Sequence, residues 1–69
     1  METITLTAPD ISCEHCRATI EREVGALTGV RSCSVDVPTR QVTVNYDPTA
    51  VTRRQIAETL EQEGYPVAG

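Results

Sequence analysis

No run of about 18 apolar residues, the length needed to cross a bilayer, occurs anywhere in the chain. The opening segment Met1-Glu2-Thr3-Ile4-Thr5-Leu6-Thr7 has neither a basic n-region nor a long apolar centre. Export and membrane insertion are therefore not expected, and the expected setting is cytoplasmic. Lysine is absent, and six arginines stand against ten acidic residues for a formal charge of −4. Without a basic stripe there is nothing to drive counterion release from a phosphate backbone, so DNA and RNA are poor candidate partners. Cysteine is scarce and odd in number: three residues, two of them three positions apart. That count does not build the disulfide framework of a small secreted domain. At 69 residues only about 60% of the unfolded surface can be buried, which limits the chain to one domain over residues 1–69 with a lean core.

Ile4, Leu6 and Ala8 alternate with Thr3, Thr5 and Thr7, the period of a strand that buries one face, and Pro9 ends it. The period then lengthens: Cys16, Ile20, Val24 and Leu27 share one helical face, predicting a helix over Glu14 to Leu27. Gly29 stands where a left-handed residue would terminate that helix. Cys33, Val35 and Val37 share one parity, and Val42, Val44 and Tyr46 share another after a turn at Pro38 to Arg40, which reads as a hairpin. Thr52 and Gln55 form a capping-box pair that opens a second helix over Arg53 to Glu63, with Ile56, Ala57 and Leu60 inward and Gly64 as its stop. Tyr65 to Ala68 is long enough for an edge strand, where Pro66 would do least harm.

Elements in the order βαββαβ, each with a single apolar face, predict an α+β, ferredoxin-like sandwich. Its four-stranded antiparallel sheet would carry both helices on one face. The crossover rule then brings the loop after the first strand close to the chain leaving the second helix, so Cys13 and Tyr65 are expected to be neighbours.

Cys13-Glu14-His15-Cys16 puts one thiol in a loop and the other in the first helical turn, where the positive end of the macrodipole favours a thiolate. A pair of soft thiolates selects Cu(I), Zn(II) and heavier relatives over magnesium or calcium, and two sulfurs alone suit Cu(I). A structural zinc site needs four ligands, which this chain does not supply in reachable places. The same spacing also serves thioredoxin-like redox pairs and half-sites for zinc, so by itself it has modest specificity.

The segments Ile11-Ser12-Cys13-Glu14-His15-Cys16, Leu27-Thr28-Gly29-Val30, Val42-Thr43-Val44-Asn45-Tyr46-Asp47-Pro48 and Glu63-Gly64-Tyr65 together resemble the heavy-metal-associated (HMA) domain family along essentially the whole chain. Within that family the likeness is to CopZ-type bacterial copper chaperones and to the N-terminal domains of copper-transporting P-type ATPases. The resemblance implies a non-enzymatic carrier that holds Cu(I) between Cys13 and Cys16 and delivers it to an ATPase metal-binding domain of the same fold through a weak electrostatic interface. Where the family usually reads Gly-Met-Thr-Cys this chain reads Asp10-Ile11-Ser12-Cys13, and Ile11 replaces the methionine, keeping its apolar character with less flexibility. Zinc- and cadmium-exporting relatives tend to carry aspartate just before the first cysteine, where this chain has Ser12.

Around the pair, Ile11 is expected beneath the loop and Ser12 beside it, and Tyr65 is expected to limit solvent access. His15 is either a solvated residue, a group that tunes Cys16, or a third ligand in a metal-bridged homodimer. Cys33 is read as a core residue, and Arg17, Arg53 and Arg54 as solvated charges. The competing readings are a carrier of zinc, cadmium or mercury, an excised regulatory domain of a transporter, and a thiol-disulfide oxidoreductase. The element order and the lack of a neighbouring proline argue against the last.

Overall fold

The computed structural model describes residues 1–68. The elements run β1 (Glu2–Thr7), α1 (Glu14–Gly25), β2 (Val30–Asp36), β3 (Gln41–Tyr46) and α2 (Arg53–Gln62). The strands form one antiparallel sheet in the order β1-β3-β2, with Leu6 opposite Val42 and Ile4 opposite Val44 on one side, and Val35 opposite Val42 on the other. This register sets Leu6, Val42, Val44, Tyr46 and Val35 on one face. Ile20 and Val24 of α1 and Ile56 and Leu60 of α2 close over them in one apolar cluster. The opposite face carries exposed Thr3, Thr5, Thr7, Thr43, Ser32 and Ser34, as a period of two requires.

The sheet has three strands, not the four expected from sequence. The Tyr65–Ala68 segment lies on the free edge of β1 but makes only one bridge there, Thr7 to Ala68, through the Ala68 N–H to the Thr7 carbonyl at 2.8 Å. Pro66 has no N–H to give, so a four-residue run cannot extend a ladder. The ferredoxin-like plan of two helices on one face of an antiparallel sheet otherwise holds.

The helix ends differ slightly from the sequence reading. Helix α1 stops at Gly25 rather than Leu27, because the Leu27 N–H turns back to Val24 O at 3.1 Å and tightens the last turn. Gly29 then adopts φ 96°, and its carbonyl accepts the Asp47 N–H at 2.8 Å, tying the start of β2 to the end of β3. Helix α2 begins on the expected capping box: the Gln55 N–H donates to Thr52 Oγ1 at 3.1 Å, and the Thr52 N–H donates to Gln55 Oε1 at 2.9 Å. It closes one residue early, at Gln62. The Tyr65 N–H bonds Leu60 O at 2.9 Å and the Gly64 N–H bonds Glu61 O at 3.0 Å, with Gly64 at φ 92°. This is the Schellman pattern, and it fixes the direction in which Tyr65 leaves the helix.

Candidate metal centre

The loop that carries the cysteines is anchored from below. Beyond β1 the chain enters buried Ala8, turns at Pro9 and Asp10, and returns to fully buried Ile11, whose N–H bonds Ala8 O at 3.1 Å. With Ile11 pinned, the next residues must rise to the surface, and Ser12 and Cys13 are exposed. Cys13 is the N-cap of α1, with extended φ −157° and ψ 171°, but its side chain makes no capping hydrogen bond. An N-cap side chain naturally reaches toward the third helical residue. Here that residue is Cys16, and the Cys13 Sγ lies 3.6 Å from the Cys16 Sγ. The C-x-x-C spacing is thus the spacing of a helix cap, with a second sulfur in place of the capped amide.

The two thiols differ in environment. Cys16 is half-buried against the core and Cys13 is exposed. The Cys16 thiol is lowered from 9.0 to about 6, first by the Tyr65 hydroxyl and then by the Ser12 backbone N–H, with smaller help from the Cys13 thiol and the Ser12 hydroxyl. Each donates toward the sulfur and so favours the thiolate, and partial burial opposes them. The Ser12 hydroxyl stands 4.0 Å from the sulfur. Tyr65 shows the reciprocal effect: its hydroxyl is pushed up to about 12, chiefly because it donates to Cys16, then by desolvation and the negative charge of the two cysteines and Glu63. Tyr65 therefore keeps its hydroxyl proton at neutral pH.

The expected neighbours of the pair fall into distinct places. Ile11 lies beneath the loop, while Ser12 and Tyr65 lie against Cys16. The structure places Tyr65 foremost beside Cys16; Cys13 reaches it only as a more distant charge. His15 is exposed, and it is not one of the groups that lower Cys16. Cys33 packs half-buried against the core, where desolvation and then Glu21 push its thiol up to about 11. Among the described residues no three His, Cys, Asp or Glu side chains converge into a metal-holding group.

Arg17 is not a free solvated charge. It pairs with Glu14 in the first turn of α1 and lies 3.8 Å from Glu21, whose carboxylate in turn accepts the Val35 N–H at 3.1 Å. This chain of contacts runs from the cysteine loop to β2. Its i, i+3 and i, i+4 charge spacing was a readable signal in the sequence. The reach of Glu21 to Val35 was not, because it depends on how α1 lies across the sheet.

Chemically, the arrangement offers two sulfur donors, one of them substantially ionised at neutral pH, at an accessible corner of a folded scaffold. Such a pair suits a soft ion that accepts few ligands. The sequence profile of the heavy-metal-associated domain matches residues 5–66. The chain belongs to the heavy-metal-associated domain family. It is similar to the copper chaperone CopZ of Bacillus subtilis (strain 168), with 38% identity over 68 residues that cover 99% of each chain. Among solved structures it is similar to a CopZ metallochaperone, at a TM-score of 0.94 and 31% identity, covering 97% of this chain and 100% of that one. A copper-binding domain from a P-type ATPase superposes with a TM-score of 0.93, covering 100% of this chain and 96% of that one. At 24% identity that last likeness concerns the fold alone.

Proposed function

We propose that this HMA domain is a cytoplasmic copper carrier that holds one Cu(I) between Cys13 and Cys16 and passes it to a metal-binding domain of a copper-transporting P-type ATPase. The observation that carries the reading is the pair of sulfurs at 3.6 Å, at the exposed start of α1, with no third protein ligand among the described residues. Two bonds hold a monovalent soft ion and leave it open to attack. The copper-chaperone relatives support the choice of metal, and the partner class is supported by the fold that this chain shares with a copper-binding domain of a P-type ATPase.

Transfer in this reading is a ligand exchange and not catalysis. A thiolate of the acceptor adds a third sulfur to the ion on the side of exposed Cys13. The bonds to this chain then break in turn as sulfurs of the acceptor replace them, and Cys16 is left as the thiolate it was before loading. Copper stays monovalent throughout. Ile11 anchors the loop, Ser12 and Tyr65 steady the Cys16 thiolate, and His15 faces solvent. The test is Cu(I) loading of the reduced protein followed by mixing with an acceptor domain. One-to-one loading and transfer without free copper are expected. Equal or better retention of Zn(II) or Hg(II) in direct competition would instead favour another soft metal.

The ionised Cys16 gives the oxidoreductase reading its one supporting observation. Turnover of a small disulfide by the metal-free protein decides that point. The carrier reading expects none.

A further inference from the structure

The two outer strands of the sheet, β1 and β2, are guarded unequally. On β2 the outward Val35 N–H is taken by the Glu21 carboxylate at 3.1 Å, and a register shift between Val30 and Ser32 interrupts the regular row of donors and acceptors. Both features keep a further strand from adding there. On β1 the cover among the described residues is one contact, from the Ala68 N–H to the Thr7 carbonyl.

That contact fixes the phase of the whole β1 edge. In an antiparallel ladder the N–H and C=O of one residue point to the same side, and successive residues alternate sides. Thr7 turns its carbonyl away from β3, while the Ala8 N–H bonds Arg40 O on the β3 side. Thr3 and Thr5 therefore present their amides and carbonyls outward, and among the described residues no backbone partner takes them. Both threonines are exposed and uncharged, and by the same alternation they share their face with Met1, which is 63% exposed.

We propose that β1 is an interface between two copies of this chain, which pair their β1 edges antiparallel about a two-fold axis at Thr3. The Ala68 bridge decides the register, because a partner strand that passes Thr5 collides with it. Thr3 of each copy then exchanges N–H and C=O bonds with Thr3 of the other, and Thr5 stands opposite the partner's Met1. Across that pair the exposed Met1 side chain packs on the threonine methyl, and Glu2 falls opposite Ile4, so no like charges oppose. Glu2 is the single charged side chain of the segment Met1 to Thr7 in a chain of net charge −4, which makes this the edge where two like-charged copies approach with least repulsion. The contact is isologous and closes at two copies. It is also short, below the ~800 Å² per partner of a stable interface, so pairing is weak and appears at about 0.1–1 mM protein. Because β1 runs toward the cysteine loop, antiparallel pairing sends the two loops to opposite ends of the assembly, where both stay open. The dimer needs no metal and stands apart from the copper reading.

The experiment is sedimentation equilibrium of the reduced, chelator-treated protein up to about 1 mM, paired with amide hydrogen exchange at low and high concentration. The expected result is a mass that rises from one chain toward two, with exchange at the Thr3 and Thr5 amides slowing as it does. Thr3→Pro removes an outward N–H without touching a bond to β3, and it is expected to stay one chain at every concentration with unchanged circular dichroism. Thr3→Val keeps the N–H and is expected to pair like the wild type. A wild-type protein that remains one chain throughout overturns the proposal, as does a folded Thr3→Pro that still pairs. Concentration-dependent protection at Cys33 and Val35 of β2, with none at Thr3 and Thr5, overturns it as well. If Thr3→Pro does not fold, the exchange of Thr3 and Thr5 in the wild type decides alone.

Discussion

Tyr65, just beyond the end of α2, is the neighbour of Cys16 at the start of α1 that does most to lower its thiol from 9.0 to about 6. The contact depends on backbone far from the sulfur. The Schellman closure at Gly64 turns the chain, and the bond from Ala68 to Thr7 lays the following segment along β1. Tyr65 is thereby held over the loop by both of its flanks.

A reactivity profile follows from that contact. Iodoacetamide should alkylate Cys16 in the metal-free protein with a midpoint near pH 6, because the thiolate persists down to that pH. In Tyr65→Phe the largest cause of the shift is gone, so the midpoint should move upward toward the ordinary value of 9.0. Peptide mapping of the alkylated products against pH checks both. An unchanged midpoint in the variant would remove Tyr65 from the site.

The thiols also shape stability against pH. Cys16 has a depressed pKa in the folded state, so between about 6 and 9.0 the unfolded chain binds a proton that the folded chain does not, and stability rises with pH. Cys33 and Tyr65 run the other way: raised to about 11 and about 12, they bind protons when folded that the unfolded chain has lost, so stability falls above pH 9 to 10. The thiol contribution should peak near pH 9. Thermal melts of reduced protein should show the rising limb flattened in Cys16→Ser and the falling limb reduced in Cys33→Ala.

Two glycines with nearly equal torsions should respond differently to alanine. At Gly29, φ is 96° and an added Cβ would lie 2.7 Å from the Ala50 Cβ and 3.1 Å from Val51 Cγ1. At Gly64, φ is 92° and nothing lies within 4 Å. Gly64→Ala should cost only the left-handed strain, about 1–2 kcal/mol, and Gly29→Ala should cost a further ~1–3 kcal/mol for the clash. Urea unfolding of the two variants measures the difference.

Arg40 adopts φ 59° at the end of the β2–β3 turn, where its N–H bonds Val37 O at 3.2 Å and its carbonyl accepts the Ala8 N–H at 2.9 Å. A left-handed arginine stores about 1–2 kcal/mol that glycine avoids, against a glycine entropy cost of about 0.5–1 kcal/mol. Arg40→Gly should therefore raise stability by about 0.5–1 kcal/mol, read as a higher urea midpoint at unchanged slope.

Much of this was legible in the sequence because it is local. The alternation of Ile4, Leu6 and Ala8 with threonines, the four-residue steps from Cys16 to Val24 and the Thr52–Gln55 box each specify an element from a few neighbouring residues. The placement of Tyr65 near the loop followed from topology, although its partner is Cys16 more than Cys13. What could not be read was set by single backbone groups. One proline reduced the expected fourth strand to a bridge, one amide of Ser12 became a donor to Cys16, and Arg40 took a turn position that composition would assign to glycine.

Copper retention by the reduced protein tests the account at its centre. With a Cu(I) chelator in competition, the wild-type chain and Cys33→Ala should each keep one copper, while Cys13→Ser and Cys16→Ser should lose it with their folds intact. Equal retention in all four proteins, or a copper deficit confined to Cys33→Ala, would contradict the assignment of the Cys13–Cys16 pair.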